Sequence, residues 1–145
     1  MNLIKNKFIL YSLVVAFLGF IDSTYLTILH YKNIIPPCTV TSGCETVLTS
    51  KYSMIGSIPV SLTGSLFYLA VIAICVLLLT NYKKWLLNAF YLLCLIGFLV
   101  SLVLIYIQAA LLHAFFQYCL LSEITSTGIL ILAALEYRKN LTSKA

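Results

Sequence analysis

The fold of this chain is decided by residues 85–137, which run WLLNAFYLLCLIGFLVSLVLIYIQAALLHAFFQYCLLSEITSTGILILAALEY. These 53 residues are almost entirely apolar. A helix that crosses the hydrocarbon core of a bilayer needs only about 20 apolar residues, so the stretch is too long for one such helix and suits two. The polar residues His113 and Gln117, with the aromatic residues between them, predict a tight turn near residues 111–117.

Two further apolar stretches lie in the first half of the chain, at about residues 8–31 and 58–80. They join the two predicted above, at about residues 85–110 and 118–137. The chain as a whole is 62% hydrophobic and 9% charged, with a mean hydropathy of +1.06, outside the range of soluble domains. Because lipid cannot satisfy backbone polar groups, each span must be helical. The sequence therefore predicts an all-α integral membrane protein, a single four-transmembrane-helix bundle over residues 1–145.

The basic residues are distributed unevenly between the two ends of the predicted bundle. Seven of the nine flank the spans on the side that holds both chain termini: Lys5, Lys7, Lys83, Lys84, Arg138, Lys139 and Lys144. Only Lys32 and Lys51 lie on the opposite side. The positive-inside rule therefore places both termini in the cytoplasm. The net charge of +5 is explained by this topology, and we expect no nucleic-acid partner.

The predicted topology sorts the five cysteines into two groups. Cys38 and Cys44, here called the loop pair, lie in the loop between the first two spans, and Cys119 lies at the start of the fourth. All three face the extracytoplasmic side, where disulfides persist. Cys75 and Cys94, here called the span pair, lie in apolar surroundings in the cytoplasmic halves of their spans. We expect the span pair to be structural, since buried cysteines behave as small hydrophobic residues.

The loop between the first two spans contains the signals of a short helix. Pro36 and Pro37 prevent any continuation of the first span. Ser42, followed three residues later by Glu45, fits a capping box, so a short extracytoplasmic helix should begin there. Cys44 would then lie in its first turn, where free N–H groups and the helix dipole favour the reactive thiolate. The alternative is a loop pair that only staples the loop.

Cys119 has a comparable position at the predicted start of the fourth span. Its thiol would lie near the membrane surface, within reach of a lipid-soluble partner. Nearby aromatic side chains could line a flat apolar pocket: Phe67, Tyr68, Phe115, Phe116 and Tyr118. The alternative is that these rings belong to the aromatic belt found at most membrane surfaces.

Asp22 and Glu123 are ionisable residues inside or at the edge of spans, where such groups are costly and usually functional. We expect Asp22 to be buried and hydrogen-bonded to hydroxyl groups such as those of Ser12, Thr24 or Ser101. A proton relay is the alternative role. We expect no metal site, because the extracytoplasmic cysteines lack the short paired spacing that zinc sites use.

Several stretches carry a family resemblance, in a fixed order along nearly the whole chain. They are YLTILHY at 25–31, the loop pair with Glu45 and Ser50 after it, IPVSLTG at 58–64 followed by Phe67 and Tyr68, and QYCLLS at 117–122. On a four-span scaffold, this order resembles the bacterial branch of the vitamin K epoxide reductase family. These are the quinone-linked membrane enzymes of disulfide formation, so the resemblance implies a multi-pass protein of the bacterial inner membrane.

The resemblance also implies roles for individual residues. In the family, a Cys-x-x-Cys pair at the start of the fourth span meets a quinone of the ubiquinone or menaquinone type, and its second cysteine matches Cys119. Cys44 matches the loop cysteine that exchanges with this pair, and Cys38 matches the one that meets an extracytoplasmic thioredoxin-like protein. Ser50 matches a supporting hydroxyl residue, and Glu45 would support the site beside Cys44.

The chain departs from the family pattern at one position of the predicted site. The first cysteine of the Cys-x-x-Cys pair should stand at position 116, where the chain has Phe116. Three accounts are open: Cys119 exchanges directly with Cys44, the protein is a non-catalytic relative, or Phe116 is a substitution that disables the enzyme. The rival from another class is a non-enzymatic membrane protein, such as a thiol-based metal carrier or an assembly subunit, with a structural loop disulfide.

Overall fold

A computed structural model describes residues 3–39 and 42–142 of the chain. Within these ranges, four helices are long and apolar enough to cross a membrane. The helices in chain order are α1 (Leu3–Tyr31), α2 (Cys44–Leu48), α3 (Val60–Thr80), α4 (Lys84–Tyr106) and α5 (Gln117–Thr142). The short helix α2 lies between the first two spans, and the other four are the spans. The predicted all-α, four-span architecture is confirmed.

The segment between α2 and α3 is also folded. A 3₁₀ turn at Lys51–Ser53 leads into a two-stranded antiparallel hairpin of β1 (Met54–Ile55) and β2 (Ile58–Pro59). Gly56, at φ +64°, makes the tight reversal between the strands. The loop, the hairpin and the turn between α4 and α5 share one end of the bundle, here called the loop end.

The four spans form a ring in which α1 packs chiefly on α3 and α5, and α4 packs chiefly on α5 and α3. Inward-facing residues recur at alternating spacings of three and four: Tyr68, Val71, Cys75 and Leu78 on α3, and Phe90, Cys94, Gly97 and Ser101 on α4. Both members of the span pair are therefore buried in the apolar core, as expected.

Close contact between α1 and α3 depends on Gly19. A Cβ atom at this position would overlap the ring of Tyr68, which is fully buried. Small residues allow the backbones of membrane helices to approach closely. Such packing holds the helices together, because apolar side chains gain little by leaving lipid for the protein interior. The Tyr68 hydroxyl group is 2.7 Å from Thr125 Oγ1 and donates to the Ser122 carbonyl group at 2.6 Å. Tyr68 thus links three of the four spans.

At the loop end, a backbone motif terminates α1 before the prolines are reached. Asn33 has φ +53°, and Ile34 N–H donates to Leu29 C=O at 3.0 Å, which is the Schellman pattern of helix termination. The first span therefore ends before Pro36 is reached. At the other helix pair, α4 continues as a π-helix over Ile107–Leu111, and the chain reverses over residues 112–116.

The expected hydrogen bond between Asp22 and Ser12 is wrong. Asp22 is buried, with 7% of its surface exposed. However, among the described residues, neither Asp22 Oδ2 nor Ser12 Oγ has a hydrogen-bond partner. Thr24 Oγ1 donates instead to Ser65 Oγ on α3, at 3.4 Å. Asp22 is consequently a buried carboxyl group whose Oδ2 atom has no hydrogen-bond partner among the described residues.

Candidate functional site

The loop pair forms a disulfide, with 6.1 Å between the Cα atoms of Cys38 and Cys44. Its two cysteines differ in exposure. Cys44 is the first residue of α2 and is only 3% exposed, whereas Cys38 is half-buried. An attacking thiolate must reach a sulfur atom of the disulfide, so Cys38 is the more accessible target.

The predicted capping box at the start of α2 is wrong. The N-cap is Gly43 and not Ser42, the cap has no side-chain hydrogen bond, and Glu45 is exposed. A Cβ atom at position 43 would lie 2.7 Å from the carbonyl oxygen of Phe115. The close backbone contact with the turn between α4 and α5 therefore determines where α2 begins, and it overrides the local sequence signal.

Cys119 is a half-buried free thiol on the first turn of α5. Leu120 N–H donates to Phe116 C=O at 3.1 Å, so position 116 is the N-cap of this helix. Side chains at the N-cap and three residues later lie beside each other, as capping boxes show. Position 116 and Cys119 thus have the local geometry that a Cys-x-x-Cys pair requires.

Phe116 is 1% exposed and occupies the centre of the loop end. It forms a buried cluster with Leu26, Cys44 and Val47, and the partly buried residues packed against this cluster include Cys38 and Cys119. The phenylalanine ring therefore belongs to one packing unit with all three cysteines of the predicted site. At this position the chain has a packing residue where its sequence relatives are expected to have a thiol.

Two residues between positions 116 and 119 attach the loop to α5. Gln117 Oε1 accepts from Thr39 N–H at 3.2 Å, and the Tyr118 hydroxyl group donates to Pro37 C=O at 3.4 Å. These contacts hold both neighbours of Cys38 against the start of α5. From the sequence, Gln117 was a marker of the turn and of the family, and Tyr118 was predicted to line a pocket.

Gln108 links the turn between α4 and α5 to Glu123, and no role was predicted for it from the sequence. Its Oε1 accepts from Phe116 N–H at 2.9 Å, and its Nε2 donates to Glu123 Oε1 at 3.1 Å. Gln108 is 3% exposed and lies in the π-helical segment at the end of α4. A lone amide in a long apolar stretch is the signal that could have identified it.

A cavity of about 110 Å³ lies beneath the loop, between the spans. Its walls include residues from α1, the loop, α4 and α5, among them Asp22, Ser50, Phe116, Cys119 and Glu123. Ser50 donates from its Oγ to Val47 C=O at 2.7 Å, which ties this predicted supporting residue to α2. The cavity brings the free thiol of Cys119 together with two buried carboxyl groups.

Of the five aromatic residues predicted for the pocket, Phe116 lines this cavity, and Phe67, Tyr68, Phe115 and Tyr118 do not. Tyr68 is in the core, and Phe67 packs against it with ring centroids 5.1 Å apart. Phe115 is 44% exposed, and Tyr118 contacts the loop. The rings were grouped by their predicted depth in the membrane, whereas the cavity depends on which helix faces converge.

Within the described parts of the chain, no group of three or more His, Cys, Asp or Glu residues is arranged to hold a metal ion. The loop end holds one disulfide, the nearby free thiol of Cys119 and the cavity-lining carboxyl groups of Asp22 and Glu123.

These features define a multi-pass membrane protein with a thiol–disulfide site at one end of its helix bundle. Residues 10–134 match the sequence profile of the Vitamin K epoxide reductase family, and the chain belongs to this family. This match confirms the family inferred from the sequence motifs. Members of the family are membrane thiol–disulfide oxidoreductases linked to quinones. No individual curated protein matches the chain.

The cavity beside Cys119 fits a quinone in its chemistry. A quinone is a flat apolar ring with carbonyl oxygens at its edge. The cavity offers apolar side chains such as Leu26, Leu104 and Ile107, together with one oxygen each of Asp22 and Glu123 that has no hydrogen-bond partner among the described residues. A ligand with an apolar body and polar oxygens would satisfy both features.

Proposed function

We propose that this chain is a single-domain thiol oxidoreductase of the bacterial inner membrane, with both termini in the cytoplasm, that supports disulfide bond formation. Electrons pass from a thioredoxin-like partner on the loop-end side, through the cysteines, to a membrane quinone of the ubiquinone or menaquinone type. One observation carries the proposal. Cys44 and Cys119 pack in the same cluster around Phe116, and Cys119 also lines the cavity.

The first half of the proposed cycle reduces the loop pair. A thiolate of the partner attacks Cys38, the more exposed sulfur, and Cys44 leaves as a thiolate. The partner's second thiol then displaces Cys38. The partner gains a disulfide, and the loop pair gains two electrons and becomes two thiols.

The second half uses Cys44 in place of the missing cysteine. Cys44 and Cys119 form a disulfide, and their two electrons and two protons pass to a quinone bound in the cavity. Cys38 then attacks Cys44, which restores the loop disulfide and frees the Cys119 thiol. Every bond broken is matched by a bond formed, and the two electrons from the partner reach the quinone. The cycle therefore needs no thiol at position 116. Ser50 supports this route through its hydrogen bond to α2, and Glu45, which follows Cys44, is exposed.

A trapped intermediate tests this cycle. In a Cys38→Ser variant, the loop has no second thiol to open a Cys44–Cys119 disulfide, so the crosslink should accumulate when a short-chain quinone is added to reduced protein. Peptide mass spectrometry under non-reducing conditions measures it, and a Cys38→Ser/Cys75→Ser variant is the matched control, which should crosslink equally. If Cys119 stays fully alkylatable, the direct exchange is refuted and the non-catalytic account of Phe116 is supported.

A further inference from the structure

We propose that Asp22 and Glu123 are the carboxyl groups that hydrogen-bond the oxygens of the quinone in the cavity and exchange protons with them. The inference rests on the proposed function, because it assigns residues to the quinone end of that reaction. It gives a role to two buried groups that the thiol chemistry leaves unused.

The positions of the acidic residues separate these two from the rest. The chain has four acidic residues in all. Glu45 is exposed on α2, and Glu136 is buried on α5, 13 residues after Glu123 and therefore about 20 Å along the helix. Only Asp22 and Glu123 line the cavity. Half of the acidic residues in the chain therefore line this one cavity.

Both carboxyl groups are buried and incompletely bonded. Asp22 is 7% exposed and Glu123 is 5% exposed. In the part of the chain that the structure describes, Asp22 Oδ2 and Glu123 Oε2 have no hydrogen-bond partner. A buried polar atom without a partner is unfavourable, because it has lost its hydrogen bonds to water, and buried native groups nearly always have a partner. The described chain has other buried atoms without a partner, but these two belong to residues that line one cavity, where a ligand can supply the missing hydrogen bonds.

The contacts of Glu123 determine which of its oxygens is free. Gln108 Nε2 donates to Oε1 at 3.1 Å and occupies that atom as an acceptor. A proton carried by the carboxyl group therefore belongs on Oε2. Glu123 also follows Cys119 by four residues, and such pairs are neighbours on one face of a helix. The acid thus lies one turn below the thiol on the same face of α5.

Asp22 approaches the cavity from a different helix. It lies on α1, which packs directly on α5. Ser23 and Leu26 of α1 line the same cavity, and so does His30 at the end of the helix. The two carboxyl groups therefore reach the cavity from two adjacent spans, as suits a ligand with more than one polar oxygen.

Proton balance gives these groups their chemical task. When the Cys44 and Cys119 thiols become a disulfide, two electrons and two protons leave them. Each carboxyl group donates its proton from the free oxygen, Asp22 Oδ2 or Glu123 Oε2, and regains one from the thiols. The carboxyl groups end the cycle unchanged. Proton donors at the acceptor oxygens increase the rate because charge does not build up there in an apolar site.

The first test measures contact and needs no turnover. Dicyclohexylcarbodiimide modifies carboxyl groups in apolar surroundings, and mass spectrometry of the reduced, full-length protein locates the adducts. A short-chain ubiquinone or menadione should protect Asp22 and Glu123 from modification at least fivefold and leave Glu136 unprotected. Equal labelling of all three residues with and without a quinone that binds, as measured by equilibrium dialysis, would overturn the inference.

The second test uses substitutions of the same size. With the Cys38→Ser variant as the parent, so that the crosslink accumulates, Asp22→Asn and Glu123→Gln should slow quinone-driven Cys44–Cys119 disulfide formation at least tenfold. Glu136→Gln should stay within twofold of this parent. If both variants form the crosslink at the parent rate, the inference fails and the proposed function stands. If the parent itself neither binds quinone nor forms the crosslink, the proposed function fails, and the inference with it.

Discussion

Replacing Phe116 by cysteine should make the protein less stable and more active. The side chain is 1% exposed at the centre of the loop-end cluster. Truncating a buried phenylalanine to alanine costs about 3–5 kcal/mol, and a cysteine retains one heavy atom more, so we expect a loss of about 3 kcal/mol. Thermal unfolding in detergent measures this loss.

The same substitution should create the missing redox pair. Position 116 is the N-cap of α5, and side chains three residues apart on a helix have Cβ atoms about 5–6 Å apart. A disulfide needs about 3.5–4.5 Å, which a small adjustment of the non-helical cap residue provides. A neighbouring thiol held in the same turn reacts as an intramolecular group, so dithiol-driven quinone reduction should rise by orders of magnitude.

Phe115→Cys is the matched control for this experiment. It adds a thiol one residue away, but Phe115 is 44% exposed and does not belong to the cluster. This variant should lose less than about 1 kcal/mol and should gain no quinone reduction. If neither the parent nor a folded Phe116→Cys protein reduces quinone, the assignment of this chain as a quinone reductase is refuted.

Two further predictions concern topology and packing. After reduction, a membrane-impermeant maleimide added from outside the cell should label Cys38, Cys44 or both and leave the span pair unmodified, and labelling of Cys75 would overturn the proposed orientation. Gly19→Ala should lower stability by about 1–3 kcal/mol, because its methyl group overlaps the Tyr68 ring. Gly128→Ala is the control, since its added methyl group meets no atom of the described chain within 4 Å, and equal thermal stability of the two variants would contradict the packing argument.

Local sequence signals predicted the structure of the loop end less well than hydropathy predicted the spans. The Ser42–Glu45 pattern is a valid capping signal, but Gly43 is held against the backbone of Phe115, which comes 72 residues later. Tyr68 was assigned to a surface pocket because it opens the second span, yet its hydroxyl group finds buried partners on α5. In both cases a contact with a distant part of the chain outweighed the local pattern.

The sequence by itself determined the number and position of the spans, because a bilayer demands about 20 apolar residues per helix and leaves few alternatives. It also identified the family, since the cysteines and their neighbours recur in a recognisable order. Only the tertiary structure decided which faces of the spans meet. Leu69 is 49% exposed and Val71 is fully buried, although both are apolar residues of the same helix.

The physical reason is that lipid tails are as apolar as a protein core, so hydropathy cannot distinguish a residue that faces lipid from one that faces another helix. For the same reason, the sequence showed Asp22 and Glu123 as two separate buried acids in different spans. Their convergence on one cavity with Cys119 follows from the packing of α1 against α5, a contact between segments about 100 residues apart that no local pattern specifies.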